Sequence, residues 1–328
     1  MARLATLACA CLLLAVPAAA GASSASSRAG WDFAQQRAVV GAGAMSDLGD
    51  GRFHGEQPLT GGQLNDSLGQ MALTLGVPPV VTAAPFVTVT DFDRLLVRQL
   101  GMTDVAKAVE AEAARAGLEP PAYFGTETVA RLLGLRYNHP SPYDALELYP
   151  WDHITRAEAA WSEAVVLGFA GWEVPSVRLA LAAFTLPAYT PARLAVLRIA
   201  VSKIGMPYVW GGETDGRSFG QVHGGYDCSG LVYRTFSGLG LPRLTAAAYA
   251  GAIPKRERLR FAELQPADLM FFGSAKFWSR TTAANITHTA IVLGNGWLIN
   301  AAGQGVAVGR MDGWREQSFA WGRRILQP

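Results

Sequence analysis

Gly224-Gly225-Tyr226-Asp227-Cys228-Ser229-Gly230-Leu231-Val232 is the stretch on which the reading of this 328-residue chain turns. Asp227 is a residue type that caps helices, and a helix opening at Cys228 would bury Leu231, Val232, Thr235, Phe236 and Leu239 on one face. Its sulfur would then lie at a helix N-terminus, where the macrodipole favours a thiolate. Glycines at 224, 225 and 230 keep the approach to that terminus open.

Working outward, the first residues explain why this thiol is informative. Arg3 precedes an apolar run from Leu4 to Val16, too short for a stable bilayer anchor, and Ala18-Ala19-Ala20-Gly21-Ala22 resembles a cleavage site. A signal peptide is therefore expected over 1–22, with Cys9 and Cys11 inside it. The exported chain keeps one cysteine of three. Exported proteins use cysteines in pairs, so an unpaired one is either an inert apolar filler or a nucleophile kept free. No other apolar run is long enough to span a membrane. Without Arg3 the 28 basic and 26 acidic residues leave a formal charge of +1, and no basic run suggests nucleic acid. The expected location is secreted, at the cell wall or beyond it.

Two textures follow a linker expected over 23–44. From 45 to 186 the pattern is helical and partly repeated: Leu59-Thr60, Val89-Thr90 and Ile154-Thr155 each place an N-cap threonine before three to four turns ending at glycine. Thr155 and Glu158 predict a capping box. Three such units would suffice for a small helical repeat array. A recurrently capped helical spacer is the competing reading.

The second half, 190–328, begins with Thr190-Pro191, a cap followed by a first-turn proline. Strands are expected at Leu269–Phe272, Thr289–Leu293, Trp297–Ala301, Val306–Val308 and Gly322–Leu326. The links between them are too short for crossover helices, which predicts an antiparallel sheet and an α+β layout.

A thiolate needs a base, and of five histidines only His288 opens a strand pattern in the same half. Asn300, on the next strand, could accept the other ring N–H and orient the imidazole. A three-residue loop Gly294-Asn295-Gly296 would oppose Ala290 to Asn300 and leave His288 diagonal to it on one face. A two-residue loop would separate them. No clustered ligand spacing is present, so neither a metal nor an organic cofactor is expected.

Four ordered motifs now resemble a known family. Tyr208-Val209-Trp210-Gly211-Gly212, Asp227-Cys228-Ser229-Gly230, Leu264-Gln265-Pro266-Ala267-Asp268-Leu269 and His288 through Asn300 look like the NlpC-type cell-wall cysteine peptidases, with a papain-like fold. The resemblance covers about Pro191 to Leu326. It implies Cys228 as nucleophile, His288 as base and then acid, and Asn300 as the orienting residue. It also implies that Tyr208 lines the site, that Asp227 and Ser229 meet the polar end of the peptide, and that the substrate is a peptidoglycan stem peptide cut beside D-γ-glutamate. Asn300 stands where the family often has histidine, and the loop 213–225, with His223, is long. In the helical half, Ile154-Thr155-Arg156-Ala157-Glu158-Ala159 resembles surface-layer homology domains, which implies docking to a wall polymer. The alternatives are a wall-binding protein with a degenerate hydrolase fold, and a thiol amidase or acyltransferase on another substrate.

Overall fold

The computed structural model describes residues 30–274, 277 and 283–326, so the expected signal peptide and residues 278–282 of the loop before His288 lie outside it. The helical half contains α1 (Phe33–Gly41), α2 (Gly61–Leu75), α3 (Val89–Gln99), α4 (Thr103–Arg115), α5 (Phe124–Leu132), α6 (Arg156–Leu167) and α7 (Glu173–Ala182). Residues 33–41, which the sequence reading places in the linker, form α1, which packs on α6 and fully buries Val39.

Three extended segments precede α2, α3 and α6, and they pair with one another through bridges Pro58–Thr155, Thr60–Phe86 and Thr88–His153. The arrangement is cyclic, so each repeat closes the backbone of the next. Leu59, Val87 and Ile154 point from these segments into one shared core. Thr60 and Thr155 cap their helices as expected, but the middle cap is Thr88 rather than Thr90. Thr88 accepts the Asp91 N–H and donates its hydroxyl to the Asp91 carboxylate at 2.9 Å, an exchange that favours starting the helix one residue after it. The capping box forms at Thr60 and Gln63, not at Thr155 and Glu158. Glu158 instead turns inward, 3.3 Å from the His139 ring, and burial pushes its carboxyl up to about 7.

Glu163, on the same helix, is a fully buried acid whose polar neighbours are Ser67 and Arg156; burial pushes it up to about 8. Because the folded carboxyl holds its proton more firmly than the unfolded one, its contribution is full below pH 4.5 and is lost as pH rises through about 8. The Glu163→Gln chain is expected to melt above the wild type at pH 8 and to show a flatter melting temperature between pH 5 and pH 8. Parallel melts at the two pH values check this, and an unchanged slope would refute it.

The second half contains α8 (Pro191–Val201), a short ribbon of β1 (Glu213–Thr214) and β2 (Gly225–Tyr226), α9 (Cys228–Phe236) and α10 (Ala246–Gly251). It continues with β3 (Leu269–Gly273), β4 (Ile286–Gly294), β5 (Trp297–Ala302), β6 (Gly305–Arg310), α11 (Gly313–Ser318) and β7 (Phe319–Arg323). The sheet order is β6-β5-β4-β3-β7, antiparallel throughout, which makes this half α+β. Its last strand starts at Phe319, three residues before the expected start at Gly322, because the Asp312–Ser318 segment forms a helical turn that feeds it directly.

The sheet has two unlike faces. Leu269, Phe271, Ile291, Leu293 and Ile299 join Leu231, Val232 and Phe236 of α9 in the main core. Met270, Phe272, Ala290, Val292 and Leu298 form a smaller cluster on the other face. Alternation along each strand produces this division.

The halves are bound together closely. Arg131 of α5 donates to the carbonyls of Gln304 and Gly205, the latter at 3.4 Å, and Arg198 of α8 donates to Gly117 O at 2.8 Å. Glu127 holds Arg131 in a buried ion pair of 2.7 Å.

Candidate active site

Helix α9 starts where the sequence suggested. The Asp227 backbone is extended, and its Oδ1 accepts the Gly230 N–H at 2.5 Å, the N-cap geometry that begins a helix at Cys228. Asp227 does more than cap. Its oxygens also receive the Gly211 N–H at 3.0 Å, the Ser229 hydroxyl at 2.9 Å and the Arg243 guanidinium at 3.0 and 3.1 Å. Ser229 in turn accepts from Arg243 at 2.7 Å and is buried. The structure therefore engages Asp227 and Ser229 with each other and with Arg243 in a hydrogen-bonded clamp around the helix start. Arg243, which closes that clamp, carries no sequence signal beyond being a lone cation in an apolar stretch.

Cys228 is half-buried and unpaired. Backbone N–H groups of Thr289 and Ser229 point at its sulfur and favour the thiolate. Burial and the neighbouring Asp227 carboxylate oppose them, and the thiol is pushed up from 9.0 to about 11. Burial and the adjacent carboxylate thus outweigh the helix terminus, whose effect near the surface is about 0.3–1 kcal/mol. The expectation of a resting thiolate is corrected: at neutral pH the group is a thiol.

Tyr208 lies beside the cysteine, and burial together with the Cys228 and Asp227 charges raises its phenol well above the usual tyrosine range. Its backbone is pinned from the helical half: Asn138 Oδ1 accepts the Tyr208 N–H at 2.8 Å and Asn138 Nδ2 donates to the Tyr208 carbonyl at 3.1 Å. On the other side of Cys228, Tyr149 accepts the Gly224 N–H at 3.1 Å and its ring lies 4.2 Å from that of His223. Both loops that flank the nucleophile are thus held by residues of the other half. The long 213–225 loop is closed at its base by the β1–β2 ribbon.

His288 and Asn300 come together on the second face of the sheet, with Asn300 Nδ2 3.0 Å from His288 Nε2. The hairpin that achieves this is not the one expected. Asn295 and Gly296 form a two-residue turn, both with positive φ (50° and 82°), and Gly294 pairs with Trp297. A β-bulge between Val292 and Gly294 absorbs one residue and restores Ile291 opposite Ile299. The register is the one the His288–Asn300 pairing needs, reached through a bulge rather than a longer loop.

Around the imidazole lie Phe272 and Trp314, each with its ring centre 5.8 Å away. Burial and the Arg315 guanidinium push His288 down to about 4, against a weaker opposing pull from Asp227. The ring is neutral at neutral pH. Among the described residues its only hydrogen bond is to Asn300. The sulfur is reached through the adjoining residue, Thr289, whose N–H points at it. Asn300 has two senses. With Nδ2 toward the ring, the ring proton sits on Nδ1; with the amide turned over, Oδ1 accepts the Nε2 proton and frees Nδ1 as a base.

A cysteine at the start of a helix packed on an antiparallel sheet, with a histidine on the adjoining strand, defines the papain-like class. Residues 205–324 match the NlpC/P60 family, and this part of the chain is an NlpC/P60 domain. Among similar proteins, a probable endopeptidase of Mycobacterium tuberculosis is 32% identical over 118 residues, covering 35% of this chain and 25% of that one. The bifunctional muramidase/DL-endopeptidase CwlT of Bacillus subtilis is 33% identical over 132 residues, covering 39% of this chain and 35% of its own length. Among solved structures, RipD of Mycobacterium tuberculosis, a non-catalytic NlpC/p60 domain protein, aligns with 23% identity and a TM-score of 0.34, covering 42% of this chain and 100% of that one. The chain spans between a quarter and about a third of the length of these first two relatives.

Proposed function

We propose that the chain is a secreted cysteine endopeptidase that hydrolyses peptidoglycan stem peptides, at the bond between D-γ-glutamate and diaminopimelate. The observation that carries this reading is that one NlpC/P60 domain holds a capped Cys228 whose sulfur receives the Thr289 N–H, and, on the residue before Thr289, a His288 paired with Asn300. Cys228 gives its proton to His288 Nδ1 as the sulfur attacks the amide carbonyl, with Asn300 turned so that Oδ1 accepts the Nε2 proton. The developing oxyanion is met by the Cys228 N–H, which capping leaves unengaged at the helix start. The C–N bond then breaks, His288 passes the proton to the departing amine, and water hydrolyses the thioester. The pinned Tyr208 forms the wall beside the sulfur. Docking of the helical half to a wall polymer is a further part of this proposal, supported by the cyclic arrangement of its three repeats.

Digestion of purified sacculi by the full chain, with fragments identified by mass, tests the proposal. New termini within stem peptides are expected from the wild type and none from Cys228→Ala. Intact sacculi after prolonged digestion would overturn it. The competing reading, binding without cleavage, is favoured by one observation: sulfur and ring share no hydrogen bond in the free state. It predicts that the chain sediments with sacculi and releases nothing.

A further inference from the structure

Next to the imidazole, on the side of Asn300, a groove of about 450 Å³ runs between the β5–β6 turn and α11. Its walls include Arg131, Asn300, Gln304, Gly305, Trp314 and Arg315. The two cations differ in kind. Arg131 is compensated by Glu127 at 2.7 Å and occupied by the Gln304 carbonyl. Arg315 makes no ion pair among the described residues: its Nη1 has one long bond of 3.4 Å to Arg310 O, and its Nε is sealed from solvent without a partner. The nearby acid Asp312 acts on Arg315 only through space, too weakly to offset its burial, and lies 3.8 Å from Arg310. One partly buried guanidinium is left without an ion-pair contact in a polar cleft beside Asn300. Such a group is costly to leave unpaired, and its planar fork matches a carboxylate.

We propose that this groove is the subsite for a free carboxylate of the substrate peptide, bound by Arg315. The proposal rests on the peptidase reading for the identity of the peptide, though not for the binding itself. One guanidinium without a direct ion pair matches one monoanionic group, and the Trp314 ring and Leu132 beside it suit the aliphatic chain that carries such a group. The subsite also bears on the base. Of the charges acting on His288, Arg315 suppresses ring protonation and Asp227 favours it. A carboxylate seated on Arg315 cancels the first and leaves the second, so an occupied groove makes His288 a better proton acceptor.

The test is calorimetric binding to the full-length Cys228→Ala chain, which cannot turn over. The probes are alanyl-γ-glutamyl-diaminopimelate and two versions of it, amidated at the glutamate carboxyl or at a diaminopimelate carboxyl. One amidated peptide is expected to bind roughly 10- to 100-fold more weakly than the free acid. An added Arg315→Gln change should weaken the free acid by the same factor and leave that amide unaffected, with Arg315→Lys in between. Equal affinity for all three peptides, no binding of any, or discrimination that survives Arg315→Gln overturns the subsite. The amide comparison needs no Arg315 variant, so a misfolded variant does not rescue the idea. Failure of the wild type to cleave a peptide that it binds selectively would sink the peptidase reading and leave the subsite standing.

Discussion

The Cys228→Ala chain is expected to lose stem-peptide hydrolysis by about 10⁴-fold or more while unfolding within a few degrees of the wild type. The sulfur forms the covalent bond in the proposed reaction, and no neighbouring group replaces it. Its removal costs little stability because the side chain is only half-buried and its capping network belongs to Asp227. His288→Ala should fall nearly as far, since the two act as one unit. The protonation states add a pH signature. A ring pushed down to about 4 and a thiol pushed up to about 11 leave a neutral pair between those limits. The rate constant kcat/KM should therefore stay level through neutral pH and fall only as the ring is protonated near pH 4. Alkylation of Cys228 by iodoacetamide should be slow at pH 7 and accelerate toward pH 11. Alkylation that has already reached its maximum below pH 7 would mean a preformed thiolate and refute the neutral pair.

Gly230→Ala should prevent the second half from folding correctly, with a loss of about 3 kcal/mol or more. A Cβ at this position would lie 1.8 Å from the carbonyl oxygen of Gly212 and 3.2 Å from Asp227 Oδ1. The first of these is backbone, held in place by the Asp227 N–H at 3.0 Å, so nothing flexible can yield. Relieving the clash means lifting α9 from the 209–212 loop, which opens the Asp227 clamp and moves Cys228. Gly69→Ala is the control, because a Cβ there meets nothing within 4 Å in the middle of α2. It should stabilise by about 0.5–1 kcal/mol. Urea melts of both variants decide the matter, and a Gly230→Ala chain with wild-type stability would refute the close-approach argument.

Much of the second half was legible because its signals are local. Asp227 before Cys228 and Thr190 before Pro191 mark helix starts, and alternation marks β3 to β6. The His288–Asn300 register was legible in outcome but not in cause, because no local pattern announces the bulge between Val292 and Gly294. The charge state of Cys228 was not legible at all. A helix start is visible in sequence, whereas burial and the lateral placement of Asp227 arise only on folding. The same holds for Arg243 and Asn138, each a single polar residue whose partner lies far along the chain. In the first half, two Val-Thr pairs stand two residues apart, and Thr88 caps through Asp91 while the Thr90 hydroxyl donates to the Pro150 carbonyl.

Because Asn138, Tyr149 and Arg131 grip the loops around the nucleophile, the chain behaves as one tool rather than a blade on a tether. Any surface that holds the first half also sets the height and angle at which the cleft meets its target. In the proposed reaction, reach would then be a property of the folded body rather than of a flexible linker.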